Sequence, residues 1–263
     1  MSVSSHLIIE QREDLLWVCI NRAEQRNALS RAVLAELGEV FALRAGEPTL
    51  KAAVLTAQGD KAFAAGGDLR EFAGIRSEDA AAALFRSAQH ALDRVRNFPV
   101  PVVAALNGLA VGGGAELAVA CDFRVAASHA AIGFIHARLN ISTGFGGGTD
   151  LMRVMGASRA LLCALRADVL GAREAQALGL IDAITDDGES LENCALRFLA
   201  PIRRQTPRVI RAYKAMAIAA RNDRTRDERL ECEVQGFVNT WCHDDHWHAA
   251  ERILKENRRG TLA

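Results

Sequence analysis

The first residue that could do chemistry is Glu116, three positions after Gly113 in Asn107-Gly108-Leu109-Ala110-Val111-Gly112-Gly113-Gly114-Ala115-Glu116-Leu117. A buried-strand pattern (Pro101 to Leu106) runs into glycines and then a helix-forming segment, an order that suits an anion. Glycines let backbone N–H groups face a ligand unobstructed, and a helix N-terminus adds roughly half a positive charge in the same direction. On a helix starting near Gly113, Glu116 returns to the face of that amide, so an acid or base stands beside an oxyanion donor. A tight strand-to-helix turn with a dipole-favoured glutamate would give the same residues.

Two further glycine clusters flank this one. Ala62-Phe63-Ala64-Ala65-Gly66-Gly67-Asp68-Leu69-Arg70 reads as a strand and a turn capped by Asp68, or as a second backbone N–H presented to a ligand. Gly144-Phe145-Gly146-Gly147-Gly148-Thr149 follows His136. A dinucleotide fingerprint needs glycine where Thr149 stands, which argues against a nicotinamide site.

The elements that must position these residues can be read in order. His6 to Glu10 and Leu15 to Ile20 predict an antiparallel hairpin, and Ser30 caps a helix with Val33, Leu34, Leu37, Val40 and Phe41 inward. Ala52 to Thr56, Phe123 to Ala127 and Ala131 to Phe134 read as strands. Glu78 to Arg96 reads as a helix with Leu84, Phe85, Ala88, Leu92 and Val95 in the core. Helical patterns follow at Asp150–Gly156, Ser158–Leu165 and Ala172–Leu178, then a strand-like Leu180–Thr185. Beyond Ser190 only helices fit: one from Thr206-Pro207 to Ala220, then Arg224–Trp241 and His246–Arg258. The chain is therefore read as an α/β core over 1–189 and a helical region over 190–263, whose apolar side chains exceed what thin helices bury among themselves.

Composition narrows the function classes. With 263 residues, half of them hydrophobic, the chain can build a sizeable core, and 32 basic against 32 acidic residues give no global field toward nucleic acid or an anionic membrane. No apolar run approaches the roughly 18 residues of a membrane span, and residues 1–12 lack a secretory pattern. The six cysteines form no C-x-x-C pair, so reduced thiols in a cytoplasmic protein are expected. His243-Asp244-Asp245-His246-Trp247-His248 has a metal site's composition, but a helix corner uses the same residues, and no metal is expected.

Together, Asn21-Arg22 with Arg26-Asn27-Ala28-Leu29, Phe63 through Leu69, Asn107-Gly108 through Glu116-Leu117 to Cys121-Asp122, and Gly144 through Thr149 resemble the crotonase (enoyl-CoA hydratase/isomerase) superfamily over nearly the whole chain. The resemblance implies a crotonase-type spiral of repeated β-β-α turns, a C-terminal helical trimerisation region giving a homotrimer or dimer of trimers, and an acyl-CoA substrate. It places the N–H groups of Gly67 and Gly113 at an oxyanion hole, Arg26 and Arg70 near the phosphates of coenzyme A, the Ala65 backbone near its adenine, and Asp68 and Leu69 in the same loop. Coenzyme A is then part of the substrate, and no other cofactor is required. Two fixed donors stabilise an enolate oxygen without reorganising, each worth about 3 kcal/mol.

Family hydratases carry a glutamate at the position of Glu116 and a second one in a Pro-Glu pair where this chain has Ile135-His136. An imidazole can transfer a proton but does not reproduce two carboxylates sharing a water. The stretches Gly112 to Glu116, Cys121-Asp122-Phe123-Arg124 and Gly133-Phe134-Ile135-His136, with Phe237 and Trp241, are similar to the branch that decarboxylates ethylmalonyl- or methylmalonyl-CoA. The resulting expectation is decarboxylation of a substituted malonyl-CoA, with His136 as proton source or carboxylate-orienting group and Glu116 as helper. The alternatives are an enoyl-CoA hydratase or isomerase using Glu116 as sole acid/base, and a non-catalytic binding protein.

Overall fold

A computed structural model of the chain describes residues 2–3 and 6–260. They form two compact units, Met1–Pro201 and Ile202–Ala263.

The first unit opens with β1 (Ser2–Val3), β2 (Leu7–Arg12) and β3 (Leu15–Ile20), all paired antiparallel. Helix α1 (Arg31–Arg44) begins where the Ser30 hydroxyl accepts from the Val33 N–H at 3.3 Å, and it buries Val33, Leu34, Leu37 and Phe41. Three windings then repeat one pattern. Strands β4 (Ala52–Ala57) and β5 (Ala62–Ala64) lead to α2 (Leu69–Phe72) and α3 (Glu78–Arg96); β6 (Val102–Leu106) and β7 (Leu109–Val111) lead to α4 (Gly113–Ala120). Strands β8 (Phe123–Ala126) and β9 (Ala131–Gly133) lead through a 3-10 turn (Ile135–Leu139) to α5 (Gly147–Met155).

Each winding gives its first strand to one sheet and its second to another. The seven-stranded sheet runs β1-β2-β3-β4-β6-β8-β11, closed by β11 (Ala183–Ile184). The four-stranded sheet runs β10-β9-β7-β5, with β10 at Leu170–Gly171. Within both sheets the successive windings pair in parallel, as in Ala53↔Val102 and Leu109↔Ala131. Because β5, β7 and β9 lie side by side, their carboxyl ends bring residues 65–67, 112–113 and 135–136 together. Parallel strands buried on both faces explain the unbroken apolar runs, such as Val102 to Leu106, all buried.

Helices α6 (Ala157–Arg166) and α7 (Ala172–Ala177) complete this unit together with most of α8 (Leu191–Arg203). The unit runs on past 189 because α8 buries Cys194, Ala195 and Leu199, and Phe198 meets Phe123 edge-to-face at 5.3 Å. The second unit holds α9 (Pro207–Arg221), α10 (Arg226–Trp241) and α11 (Asp244–Gly260). Helices α9 and α10 approach closely at Gly236, where a methyl group would come within 3.1 Å of the Ala212 Cβ. Trp241 stacks on Phe237 and on His246, with ring centroids 5.2 and 4.4 Å apart, yet Tyr213, Phe237, Trp241 and Trp247 stay exposed.

Several expectations change in detail. The strand feeding Gly112–Gly114 is the short β7, not Pro101–Leu106, because a turn at Asn107-Gly108 moves the chain from one sheet to the other. In α3, Ala88, Leu92 and Val95 are core, but Leu84 is half-buried and Phe85 is 37% exposed, since that half of the helix faces a cavity. Leu180–Thr185 holds only a two-residue strand. The His243–His248 corner ties His243 Nδ1 to the Asp245 N–H at 3.2 Å, and among the described residues no group of three His, Cys, Asp or Glu could hold a metal ion.

Candidate active site

The carboxyl ends of β5, β7 and β9 open into a cavity of about 480 Å³. Ala65, Gly66 and Gly67 form one wall, Gly112, Gly113 and Glu116 the next, and Ile135, His136 and Arg138 a third. Leu69, Phe72, Ile75, Leu84 and Phe85 close one side, and Leu139, Ile141, Gly144 and Phe145 another, so the lining is mainly apolar.

Backbone conformation explains the glycines. Gly66 has φ +101° and Gly112 φ +54°, a left-handed region that other side chains rarely adopt, and each turns its strand end toward the next residue's amide. Gly113 begins α4, so its N–H has no partner in the helix, and neither it nor the Gly67 N–H meets an acceptor among the described residues. The two turns touch: a Cβ on Gly113 would lie 3.2 Å from the Gly67 nitrogen.

Glu116 is 1% exposed, and its carboxylate is saturated. One oxygen, Oε2, accepts from the N–H groups of Phe145 and Gly147, each at 2.8 Å. The other, Oε1, accepts from the Gly144 N–H at 3.1 Å and from His136 Nε2 at 2.9 Å. An ionised carboxylate accepts only, so Nε2 carries the proton, and all four lone-pair positions are filled. A buried anion is tolerated here because each oxygen is hydrogen-bonded twice. The other ring nitrogen, His136 Nδ1, is buried and has no hydrogen-bond partner among the described residues.

Behind the 144–147 turn, Arg96 at the end of α3 holds the other side. It donates from Nη2 to the Phe145 carbonyl at 2.9 Å, from Nε to Asp150 at 2.7 Å and from Nη1 to Asp93 at 2.8 Å. The turn is thus gripped through its N–H groups by Glu116 and through a carbonyl by Arg96. The sequence marked neither Arg96 nor Phe145 for this; only their nearness to a glycine cluster and a helix end could have pointed to them.

The structure brings Gly67, Gly113, Glu116 and His136 together, with Ala65 and Leu69 on the same cavity wall. Arg26, Asp68 and Arg70 do not line the cavity. Asp68 caps α2 by accepting from the Glu71 N–H and pairs with Arg22 at 3.3 Å, which ties it to the loop's own structure. Arg26 is exposed on a left-handed turn whose carbonyl accepts from the Ala65 N–H at 3.0 Å. Arg70 is exposed on α2, and neither Arg26 nor Arg70 forms an ion pair among the described residues.

Two sheets wound by β-β-α turns, with two neighbouring backbone N–H groups at the strand ends that meet no acceptor among the described residues, define a crotonase-type fold. Residues 10–259 match the model of the enoyl-CoA hydratase/isomerase family, and the chain belongs to that family. It is similar to the crotonyl-CoA hydratase of Syntrophomonas wolfei, 35% identical over 71% of each chain. It is also similar to the 2,3-dehydroadipyl-CoA hydratase of Escherichia coli, 34% identical over 80% of each. Among solved structures, the enoyl-CoA hydratase of Bacillus anthracis superposes with a TM-score of 0.87 at 30% identity, covering 95% of this chain and 96% of that one. These relatives bear out the spiral fold and an enzyme acting on an acyl-CoA. They favour the hydratase alternative over the expected malonyl-CoA decarboxylation, for which they offer no support.

Proposed function

We propose that the chain adds water across the double bond of an enoyl-CoA, holding the thioester oxygen between the N–H groups of Gly67 and Gly113. The observation that carries this reading is the pair of unpartnered amides, contributed by two windings and touching at one apolar cavity. As the water oxygen bonds to the β-carbon, the double-bond electrons move toward the carbonyl, and the resulting enolate oxygen accepts from both amides. With Glu116 saturated, proton handling falls to His136. The imidazole takes the proton lost by the water and returns it to the α-carbon, while the bond between Nε2 and Glu116 fixes the ring at the cavity wall, as carboxylates do for other catalytic imidazoles. Arg26 and Arg70, exposed near Ala65 and Leu69 and without an ion pair among the described residues, suit the phosphates of coenzyme A, and the tail's exposed aromatics suit a homotrimer or dimer of trimers.

A second reading rests on one feature, that the only carboxylate lining the cavity among the described residues has no free lone pair. In decarboxylation of a substituted malonyl-CoA the bond between the α-carbon and the carboxylate breaks, carbon dioxide leaves, and the electron pair forms the same enolate without a base. Purified protein offered crotonyl-CoA, a 3-enoyl-CoA and ethylmalonyl-CoA separates the readings. Hydration of crotonyl-CoA supports the first, carbon dioxide from ethylmalonyl-CoA alone supports the second, and no turnover of any of the three overturns both.

A further inference from the structure

We infer that the acyl group this site prefers carries a carboxylate of its own, received by Arg138; the inference rests on the acyl-CoA reading above and extends it to substrate class. Among the described residues, three titratable side chains line the cavity, Glu116, His136 and Arg138. The first two bind each other at 2.9 Å, and the three backbone donors complete the Glu116 shell. Arg138 makes no ion pair or hydrogen bond among the described residues, so the charge the cavity has to offer is one uncompensated guanidinium.

Its placement favours the acyl group over the phosphates of coenzyme A. Arg138 lies two residues beyond His136 on the 3-10 turn Ile135–Leu139, next to Leu139 and near Ile141, both exposed apolar side chains on the cavity wall. Arg26, whose carbonyl accepts from the Ala65 N–H, and Arg70, next to Leu69, lie outside the cavity lining, beyond a different wall. A planar guanidinium at the edge of an apolar pocket suits a carboxylate, which it can hold through two parallel N–H···O bonds. Arg138 is exposed at the rim, so a neutral chain would leave its guanidinium to water, whereas a carboxylate at the end of the acyl group would meet it directly.

The test compares kcat/KM for 2,3-dehydroadipyl-CoA and 2-hexenoyl-CoA, equal in chain length and differing in a terminal carboxylate. It is repeated with the corresponding pantetheine thioesters, which lack the nucleotide phosphates. The wild-type chain is expected to prefer the carboxylate-bearing member of each pair. In Arg138→Gln that preference is expected to fall about 10- to 100-fold in both series, with partial recovery in Arg138→Lys. An unchanged preference overturns the inference, as does a loss shared equally by both acyl groups and confined to the coenzyme A series, which would assign Arg138 to the phosphates. Failure of the acyl-CoA reading itself is distinguishable, since the wild-type chain would then turn over none of the four thioesters.

Discussion

Alanine should be damaging at residue 113 and nearly harmless at residue 67, although both glycines are assigned the same job. A Cβ on Gly113 would stand 2.6 and 3.1 Å from the edge of the Phe145 ring and 3.2 Å from the Gly67 nitrogen. The ring cannot retreat with its backbone, because the Phe145 N–H is held by Glu116 at 2.8 Å and its carbonyl by Arg96 at 2.9 Å. The methyl group also enters the space beside both amides. At least one donor is therefore displaced from the thioester oxygen, which corresponds to a fall in kcat of about 10²- to 10³-fold. Overpacking adds about 1–3 kcal/mol of destabilisation, roughly 2–4 °C in Tm per kcal/mol for a chain of this size. On Gly67 the new Cβ would meet the Phe72 ring, at 2.9 and 3.3 Å. That ring is the far end of a half-buried side chain on a four-residue helix and can turn aside, and the N–H survives. Gly67→Ala should stay within about threefold of wild type, a change of about 0.5 kcal/mol. The assay is kcat/KM on the acyl-CoA that is turned over, with thermal unfolding of each variant alongside. The reasoning is refuted if Gly113→Ala retains activity within tenfold of wild type, or if Gly67→Ala falls as far.

Glu116→Gln puts an NH₂ group against two of the four donors around the present carboxylate; turnover should drop about 10²-fold or more, and a ¹⁵N spectrum should show the His136 proton moved from Nε2 to Nδ1. Arg96→Met breaks the buried pair with Asp150 and frees the Phe145 carbonyl, so urea unfolding should show a loss of about 3 kcal/mol, with kcat reduced more than KM is raised. Arg197, first through its side-chain hydrogen bonds, holds the Glu189 carboxyl down to about 2, with the Asp186 N–H adding to the effect. A carboxyl depressed on folding contributes stability that is present above its unfolded value of 4.5 and is lost as pH falls through about 2. Arg197→Ala should raise the Glu189 midpoint in an NMR titration, and an unchanged midpoint would discount the pair.

Local chemistry made much of the molecule legible. The Ser30 cap, the helix from Glu78 to Arg96 and the Thr206-Pro207 helix start are written in adjacent residues, and each forms at those positions. Two of the glycine turns were legible as places that could present a backbone N–H, because glycine permits the φ of +101° at Gly66 and the pairing of φ +54° with ψ −126° at Gly112. Strands β5, β7, β9 and β10 have two or three residues each, too short for a period, and they exist because neighbouring windings pair with them. Leu84 and Phe85 look like core from their spacing, since helical periodicity separates an apolar face from a polar one but does not separate a packed core from an apolar cavity. The saturation of Glu116 was hidden for another reason: its donors lie 20 to 31 residues away, and only the winding brings them to α4.

The four-fold clasp on Glu116 bears on how members of this family should be sorted by eye. A glutamate that fastens its own neighbourhood must persist whether or not any reaction takes place, so its presence says little about whether a given chain is alive as a catalyst. The His136 side chain, by contrast, makes one hydrogen bond among the described residues, to that clasp, so a substitution there would leave the architecture standing.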